Sequence, residues 1–489
     1  MNETAEMKRS LGLFDATMLV AGSMIGSGIF IVSADIARSV GSSGFLILVW
    51  LITGIVTIAA ALSYGELAGM MPKAGGQYIY LSKAFNPLIG FLYGWTTFSV
   101  IQTGAIAAVA VAFAKFTAVF IPALSTDNIL LRIGSLNISA AQVYAIASIV
   151  LITLINTRGV KNGKIVQTIF TSAKLIALFG LITLGIIAAL NSNILSNNLN
   201  NMWDASFLSI KGGVITNIPL SGITLLSAIG VAMVGSLFSS DAWNNVTFIA
   251  GEIKEPKRNI PLSLFFGTLI VTVIYILANL VYISVLPLTG DPLALDDFGR
   301  GIQFAANDRV GTAAAAMILG DTAAYTMAIL IMISTFGCNN GLILSGARVY
   351  YAMAKDKLFF QKAGTLNNKS VPSFSLILQC IWASLLCLSG TYGDLLDYTI
   401  FAALIFYILT ILGIFILRKK HADVERPYKA FGYPVIPAIY IIVAFSICVA
   451  LFIAKPENTG PCLIIVLLGI PFYYLLKKVN SKTADEVIH

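Results

Sequence analysis

The chain has 489 residues, of which 57% are hydrophobic and only 11% charged, with a mean hydropathy of +0.87 and a formal net charge of +8. Soluble domains carry about 25% charged residues, and here apolar runs of about 20 residues recur from Leu13 to Leu476 with short polar breaks. A soluble multidomain enzyme is therefore excluded, and an integral membrane protein is expected.

The opening MNETAEMKRS mixes acids with bases and leads into an apolar stretch too long for a secretory signal, so the first helix is read as retained. Twelve apolar segments follow that can cross about 30 Å of hydrocarbon, each helical because lipid offers backbone groups no other partner. They are segments 1 to 12 at 13–38, 45–71, 87–121, 139–156, 165–190, 221–250, 261–288, 322–354, 373–390, 394–417, 434–454 and 461–477. The expected organisation is an N-terminus (1–12), a first group of five crossings (13–190), a second group of five (221–417), two further crossings (434–477) and a C-terminus (478–489). An even count puts both termini on one side. Of the 31 Lys and Arg residues, 23 fall on that side, including Lys8, Lys161 and Lys164; six fall on the other, and Lys115 and Lys174 lie within segments. This asymmetry places both termini in the cytoplasm. It also accounts for the net charge, so no nucleic-acid partner is implied.

Cys338, Cys380, Cys387, Cys448 and Cys462 lie in or beside apolar segments without a CxxC pair, and read as small core residues. The two histidines, His421 and His489, leave no material for a histidine-built metal or catalytic site in the membrane. No metal or cofactor is expected, and no nucleophile–base constellation of an enzyme is visible.

Two segments depart from a plain crossing. Segment 1 carries GSMIGSGIF (22–30), with glycines where a chain in lipid should keep its hydrogen bonds. Segment 6 carries GSLFSSDAWNN (235–245), an acid among serines and asparagines in an otherwise apolar run. Broken segments at matching positions of two five-helix halves point to an inverted repeat with a substrate site at the midplane. Close helix packing by small residues is the other reading of the glycines.

A broken helix offers free N–H groups at the start of its second half and free C=O groups at the end of its first, which together suit a zwitterion. The amides around Ser27, Gly28 and Ile29 could hold a carboxylate, and the carbonyls near Ala21, Gly22, Phe238 and Ser239 an ammonium group. Phe238 and Trp243 flank the polar run, one placed to close over a ligand and the other to wedge the chain. Lys174 lies too deep in segment 5 to reach either surface and is a functional candidate. Asp241 either faces water or caps the chain after the break. Lys115 can snorkel outward, Glu66 and Asp15 read as solvated or capping groups, and Asn339 and Asn340 either line a cavity or bond a neighbouring helix.

At these residues the chain resembles the amino acid–polyamine–organocation superfamily, and within it the L-type amino-acid exchanger branch. GSMIGSGIF and LFSSDAWNNVTFIAGEIKEPKRNIP (237–261) are similar to its helix-1 and helix-6 signatures. SYGELAGMMPKAGGQYIYL (63–81), SGARVYYAMAKDKLF (345–359) and LRKKHADVERPYKAFGYPVIP (417–437) extend the likeness along most of the chain. The resemblance implies an all-helical, five-plus-five inverted-repeat fold of the leucine-transporter type in the plasma membrane, moving amino acids by alternating access. It implies that Ser27, Gly28 and Ile29 hold the substrate carboxylate, that the carbonyls of Phe238, Ser239 and Asp241 hold the amino group, and that Phe238 is the outer gate. It also implies that Lys174 stands where sodium-coupled relatives bind sodium, arguing for sodium-independent exchange of neutral amino acids. A proton-coupled amino-acid or polyamine symporter is the alternative. Three departures stand out: Ser239 and Ser240 replace an alanine and an aromatic residue, and Ala242 replaces a glycine, which should stiffen the break. The third is that 122–138 holds no cysteine, so no disulfide-linked partner subunit is expected.

Overall fold

The structure is a computed structural model and describes residues 9–133, 136–190, 192–211, 214–388 and 392–485. Residues 1–8 and 486–489 of the expected cytoplasmic termini, Lys8 and His489 with them, lie outside the described residues, as do the side chains of Lys161 and Lys164. Segment 1 is two helices, Leu13–Met24 and Gly28–Val40, that meet at 42°. Segment 2 is Ser43–Met70 and segment 3 is Pro87–Thr117, with a π-helical stretch at Thr97–Ile101. Segments 4, 5, 7 and 8 are Ala140–Thr157, Val160–Ala189, Pro256–Val285 and Asp321–Lys355; segments 10, 11 and 12 are Tyr392–Lys420, Val435–Ala454 and Pro456–Asp485.

Local chemistry explains several starts. Ser139 and Gln142 form a capping box, with Ser139 N donating to Gln142 Oε1 at 2.8 Å and Gln142 N to Ser139 Oγ at 3.3 Å. Asn86 caps segment 3 by accepting from Ile89 N at 3.0 Å, and Pro87 fills its first position. Asp15 caps segment 1 by accepting from Gly12 N at 3.0 Å.

Among the described residues, ten helices are long and apolar enough to cross a membrane, eleven with the bent pair of segment 1. Segment 9 is the difference from twelve: its helix, Ser373–Leu386, has 14 residues and so spans about 21 Å. The loops also depart from an all-helical expectation. Ile129–Ile133 pairs antiparallel with Leu136–Ser139, and Ser206–Lys211 with Val214–Pro219.

Segment 3 is deeply enclosed, with 89% of its apolar window buried, against 28% in segments 5 and 12. Segment 3 therefore belongs to the centre, while segments 5 and 12 present apolar surface outward. The basic loops gather on one face: Lys420 Nζ donates to Ala84 O at 3.2 Å, Asn367 Nδ2 to Thr157 O at 3.0 Å, and Lys257 pairs with Glu425 at 3.0 Å. Leu11 bridges to Ile253 on this face, which we call the termini face. On the opposite face Arg38 Nη1 donates to Gln303 O at 2.7 Å and Gln142 Nε2 to Cys387 O at 2.9 Å.

Candidate functional site

The two breaks meet. Segment 1 loses its helix over Ile25–Ser27 and restarts at Gly28, whose missing side chain is what allows the contact: a Cβ there would overlap the Ser239 side chain. Segment 6 is helical over Gly222–Ser239 and turns away at 240–244. Ala242 sits in this turn at φ +64°, a left-handed conformation that costs a residue with a Cβ about 1–2 kcal/mol. Beyond it only a single α-turn, Asn245–Phe248, and a 3₁₀ turn, Ala250–Glu252, continue the segment. The second part of segment 6 is thus much shorter than that of segment 1.

A cavity of about 20 Å³ lies between the breaks, and Ser27, Gly28, Phe238, Ser239 and Asp241 line it with Ser23, Met24 and Cys338. That is room for about one water molecule. Ala21, Gly22 and Ile29 are not among its walls. The Ala21 carbonyl is spent on Ile25 N at 2.9 Å and the Gly22 carbonyl on Lys174. Segment 1 instead contributes Ser23, Met24, Gly26, Ser27 and Gly28. Cys338 is more than core filling: its thiol donates to Ser23 O at 2.9 Å at the cavity wall.

Lys174 is 1% exposed, and its Nζ reaches Gly22 O at 2.8 Å, Ile25 O at 2.5 Å and Ser334 O at 3.2 Å. Three acceptors match the three donors of an ammonium group. Ser334 Oγ stands 3.2 Å from both Ile25 O and Gly26 O. Segment 1's free carbonyls are therefore held by segments 5 and 8. Tyr275 of segment 7 spans both breaks, its hydroxyl lying 3.2 Å from Met24 O and 3.0 Å from Ser239 O.

The Asp241 side chain accepts from Tyr407 OH at 2.5 Å, and no side-chain bond caps Asn245–Phe248, so the capping reading of Asp241 is not what the structure shows. Asp241 also borders two more small cavities. One includes Gln102, Asn245 and Tyr407; the other includes Trp243, Tyr407 and Tyr440. Trp243 is buried edge-to-face on Tyr64, ring centroids 4.7 Å apart, and 5.4 Å from Tyr407, the position of a wedge under the turn. Asn340 Oδ1 accepts from Asn156 Nδ2 at 2.9 Å, which favours helix–helix bonding for that residue.

Away from the termini face the molecule opens into a vestibule of about 680 Å³. Tyr392, at the start of segment 10, stands between vestibule and cavity. Its hydroxyl shares a hydrogen bond with Ser27 Oγ at 3.1 Å, and its ring meets the edge of Phe238 at 6.2 Å. On the termini face, buried polar pairs cross the path among the described residues. Arg348 Nε donates to Glu252 Oε1 at 3.1 Å with both side chains buried, and Ser10 and Leu11 amides strap onto Glu252 O. Asn244 bonds Gln77 at 3.0 Å and Gln77 bonds Thr410 at 2.9 Å. Glu66, expected to be solvated or capping, is 1% exposed: it takes Arg418 at 2.9 and 2.6 Å, Arg426 at 3.3 Å and Ala430 N at 2.7 Å. Its partners are more than 350 residues away in sequence, which is why its role was not readable locally.

Sequence reasoning also missed Tyr275, Ser334, Tyr392 and Tyr407. With 18 tyrosines in the chain, residue type alone distinguished none of them.

Comparison with known proteins agrees with this architecture. The model of the family described as amino acid permease matches residues 11–474. The chain is 28% identical to the b(0,+)-type amino acid transporter 1 of Mus musculus over 97% of its own length and 89% of that protein's. It is also 28% identical to the serine/threonine exchanger SteT of Bacillus subtilis, covering 96% and 98% of the two chains. The large neutral amino acids transporter small subunit 2 of Homo sapiens is 28% identical, with 96% and 80% covered. A match over nearly the whole chain, together with the broken segments 1 and 6 meeting at one cavity, places the chain in the amino acid permease family.

Proposed function

We propose that the chain is a secondary active amino-acid transporter, a sodium-independent exchanger of neutral amino acids working by alternating access. The observation that carries this reading is the cavity between the two breaks, separated by Tyr392 and Phe238 from a vestibule and sealed toward the termini face by buried polar pairs. A site reached from one side while the other is shut is what alternating access requires. In this reading Ser27 and Gly28, at the positive end of the second half-helix of segment 1, take the substrate carboxylate. Ser239 and Asp241 of segment 6 take the ammonium group, and Phe238 with Tyr392 forms the gate.

The Lys174 ammonium group supports sodium independence: bonded to Gly22, Ile25 and Ser334 carbonyls, it uses oxygens that a sodium ion would need and repels a second cation. The same reading takes segment 9 as a short twelfth crossing, segments 1–5 and 6–10 as inverted repeats, and both termini as cytoplasmic in a plasma-membrane protein that works without a disulfide-linked subunit. The relatives named as exchangers and amino acid transporters support the substrate class. The Asp241 carboxylate at the cavity favours the alternative, a proton-coupled symporter of amino acids or polyamines.

Counterflow into proteoliposomes tests both. Labelled amino acid should enter only vesicles preloaded with unlabelled amino acid, in sodium-free buffer and without response to an imposed pH gradient. Accumulation in empty vesicles on external acidification favours the symporter, and an absolute requirement for Na⁺ overturns the assignment of Lys174.

A further inference from the structure

The vestibule wall carries Asp35, Arg38, Lys115, Asp394, Asp397 and Lys455. Most of these charges are neutralised in place. Arg38 pairs with Asp308 at 2.7 Å and Asp35 at 3.6 Å, and Lys455 pairs with Asp397 at 2.8 Å. Lys115 is different: among the described residues it joins no ion pair, and its Nζ stands 5.6 Å from the centroid of the Tyr392 ring. A cation over an aromatic face is held by the ring quadrupole, which leaves its N–H groups available to another acceptor. The ring that holds it is the one bonded to Ser27 and in contact with Phe238. One column thus runs from a vestibule cation, through the gate ring, to the hydroxyl at the inner cavity. Packing alone would not demand an ammonium group here, since an apolar residue of equal length would cover Tyr392 at less desolvation cost.

We propose that Lys115 is the anchor of a vestibular site that binds a free α-amino acid by its carboxylate before Tyr392 admits it to the cavity between the breaks. The site rests on the transport reading above. Apart from Lys115, the four carboxylates of this wall, Asp35, Asp308, Asp394 and Asp397, outnumber its cations Arg38 and Lys455, which leaves a net negative field for the substrate's ammonium end. At about 680 Å³ the vestibule holds a whole amino acid, which the 20 Å³ cavity in this state does not. Capture ahead of the gate raises the local substrate concentration on that face only, and an electrostatic step of this kind weakens with ionic strength.

The test uses the full chain in proteoliposomes of defined orientation, with L-serine as probe, measuring KM and kcat separately from the vestibule face and from the termini face. Lys115→Gln should raise KM from the vestibule face by about tenfold, the size of one lost charge-assisted hydrogen bond, with the change in KM rather than kcat and none from the termini face. Lys115→Arg should keep most of the wild-type value. The salt dependence of the vestibule-face KM should disappear in Lys115→Gln. The site is overturned if Lys115→Gln matches wild type on the vestibule face, or if it shifts both faces equally along with a lower melting temperature, as a purely structural lysine would. A wild type that exchanges no amino acid overturns the transport reading and this site with it, whereas active serine exchange with an indifferent Lys115→Gln overturns this site alone.

Discussion

Tyr407 donates its hydroxyl to Asp241 at 2.5 Å, tying segment 10 to the turn that interrupts segment 6. The carboxylate is half-buried with this phenol as its side-chain partner, and a hydrogen bond to a charged group contributes about 1.5–3 kcal/mol. Tyr407→Phe should therefore slow exchange by about tenfold or more while leaving insertion and yield near wild type. Initial rates of counterflow with equal reconstituted protein check this; an unchanged rate would mean that Asp241 is held by other groups.

Removing Lys174 strands acceptors. Lys174→Ala removes the lysine donor from Gly22 O, leaves Ile25 O with Ser334 Oγ alone, and drops the contact to Ser334 O in segment 8, at about 1–3 kcal/mol for a buried group left unpaired. We expect exchange to be lost. Lys174→Arg should not restore it, because a planar fork cannot meet three carbonyls arranged around a point charge. Uptake in Lys174→Ala that requires Na⁺ would contradict this role.

Gly28 has two duties that a pair of substitutions separates. Because a Cβ at Gly28 would overlap Ser239, Gly28→Ala should lower the thermal stability in detergent as well as abolish uptake. Adding Ser239→Gly removes the two closest atoms, leaves the residue-239 Cα at 3.0 Å, and should recover part of the melting temperature. If it recovers uptake in full as well, the glycine serves packing only and the carboxylate site lies elsewhere.

Phe238→Ala removes the partner of the Tyr392 ring and opens the cavity to the vestibule. Turnover should fall more than membrane insertion. Normal exchange by this variant would place the gate at Tyr392 alone.

On the termini face, Arg348 and Glu252 form an ion pair at 3.1 Å with side chains 0% and 4% exposed. Arg348→Met leaves a buried carboxylate uncompensated, at about 3–5 kcal/mol, and should strongly lower the melting temperature. The double variant with Glu252→Gln should regain stability. Equal stability of the single and double variants would show that the two charges are not coupled.

Much of this architecture is a consequence of composition. Lipid provides no hydrogen bonds, so a run such as 43–70 must be a helix, and a run broken by Gly22, Gly26 and Gly28 or by Ser239, Ser240 and Asp241 must find partners where the helix stops. Those requirements are local, and the positions of both breaks were legible from residue type alone. The identity of the partners was not. Tyr275, Ser334, Tyr392 and Tyr407 come from segments 7, 8 and 10, and in sequence each is an ordinary polar or aromatic residue in an apolar helix. Glu66 shows the same divide: near a helix end it read as solvated, and only the fold brings Arg418, Arg426 and the Ala430 amide to it. Segment 9 is the converse, a stretch apolar enough to be taken as a full crossing whose helix ends at Leu386. Periodicity and hydropathy report what each stretch of backbone needs from its solvent. Which side chain meets that need depends on how helices hundreds of residues apart pack, and that was decided by the tertiary structure.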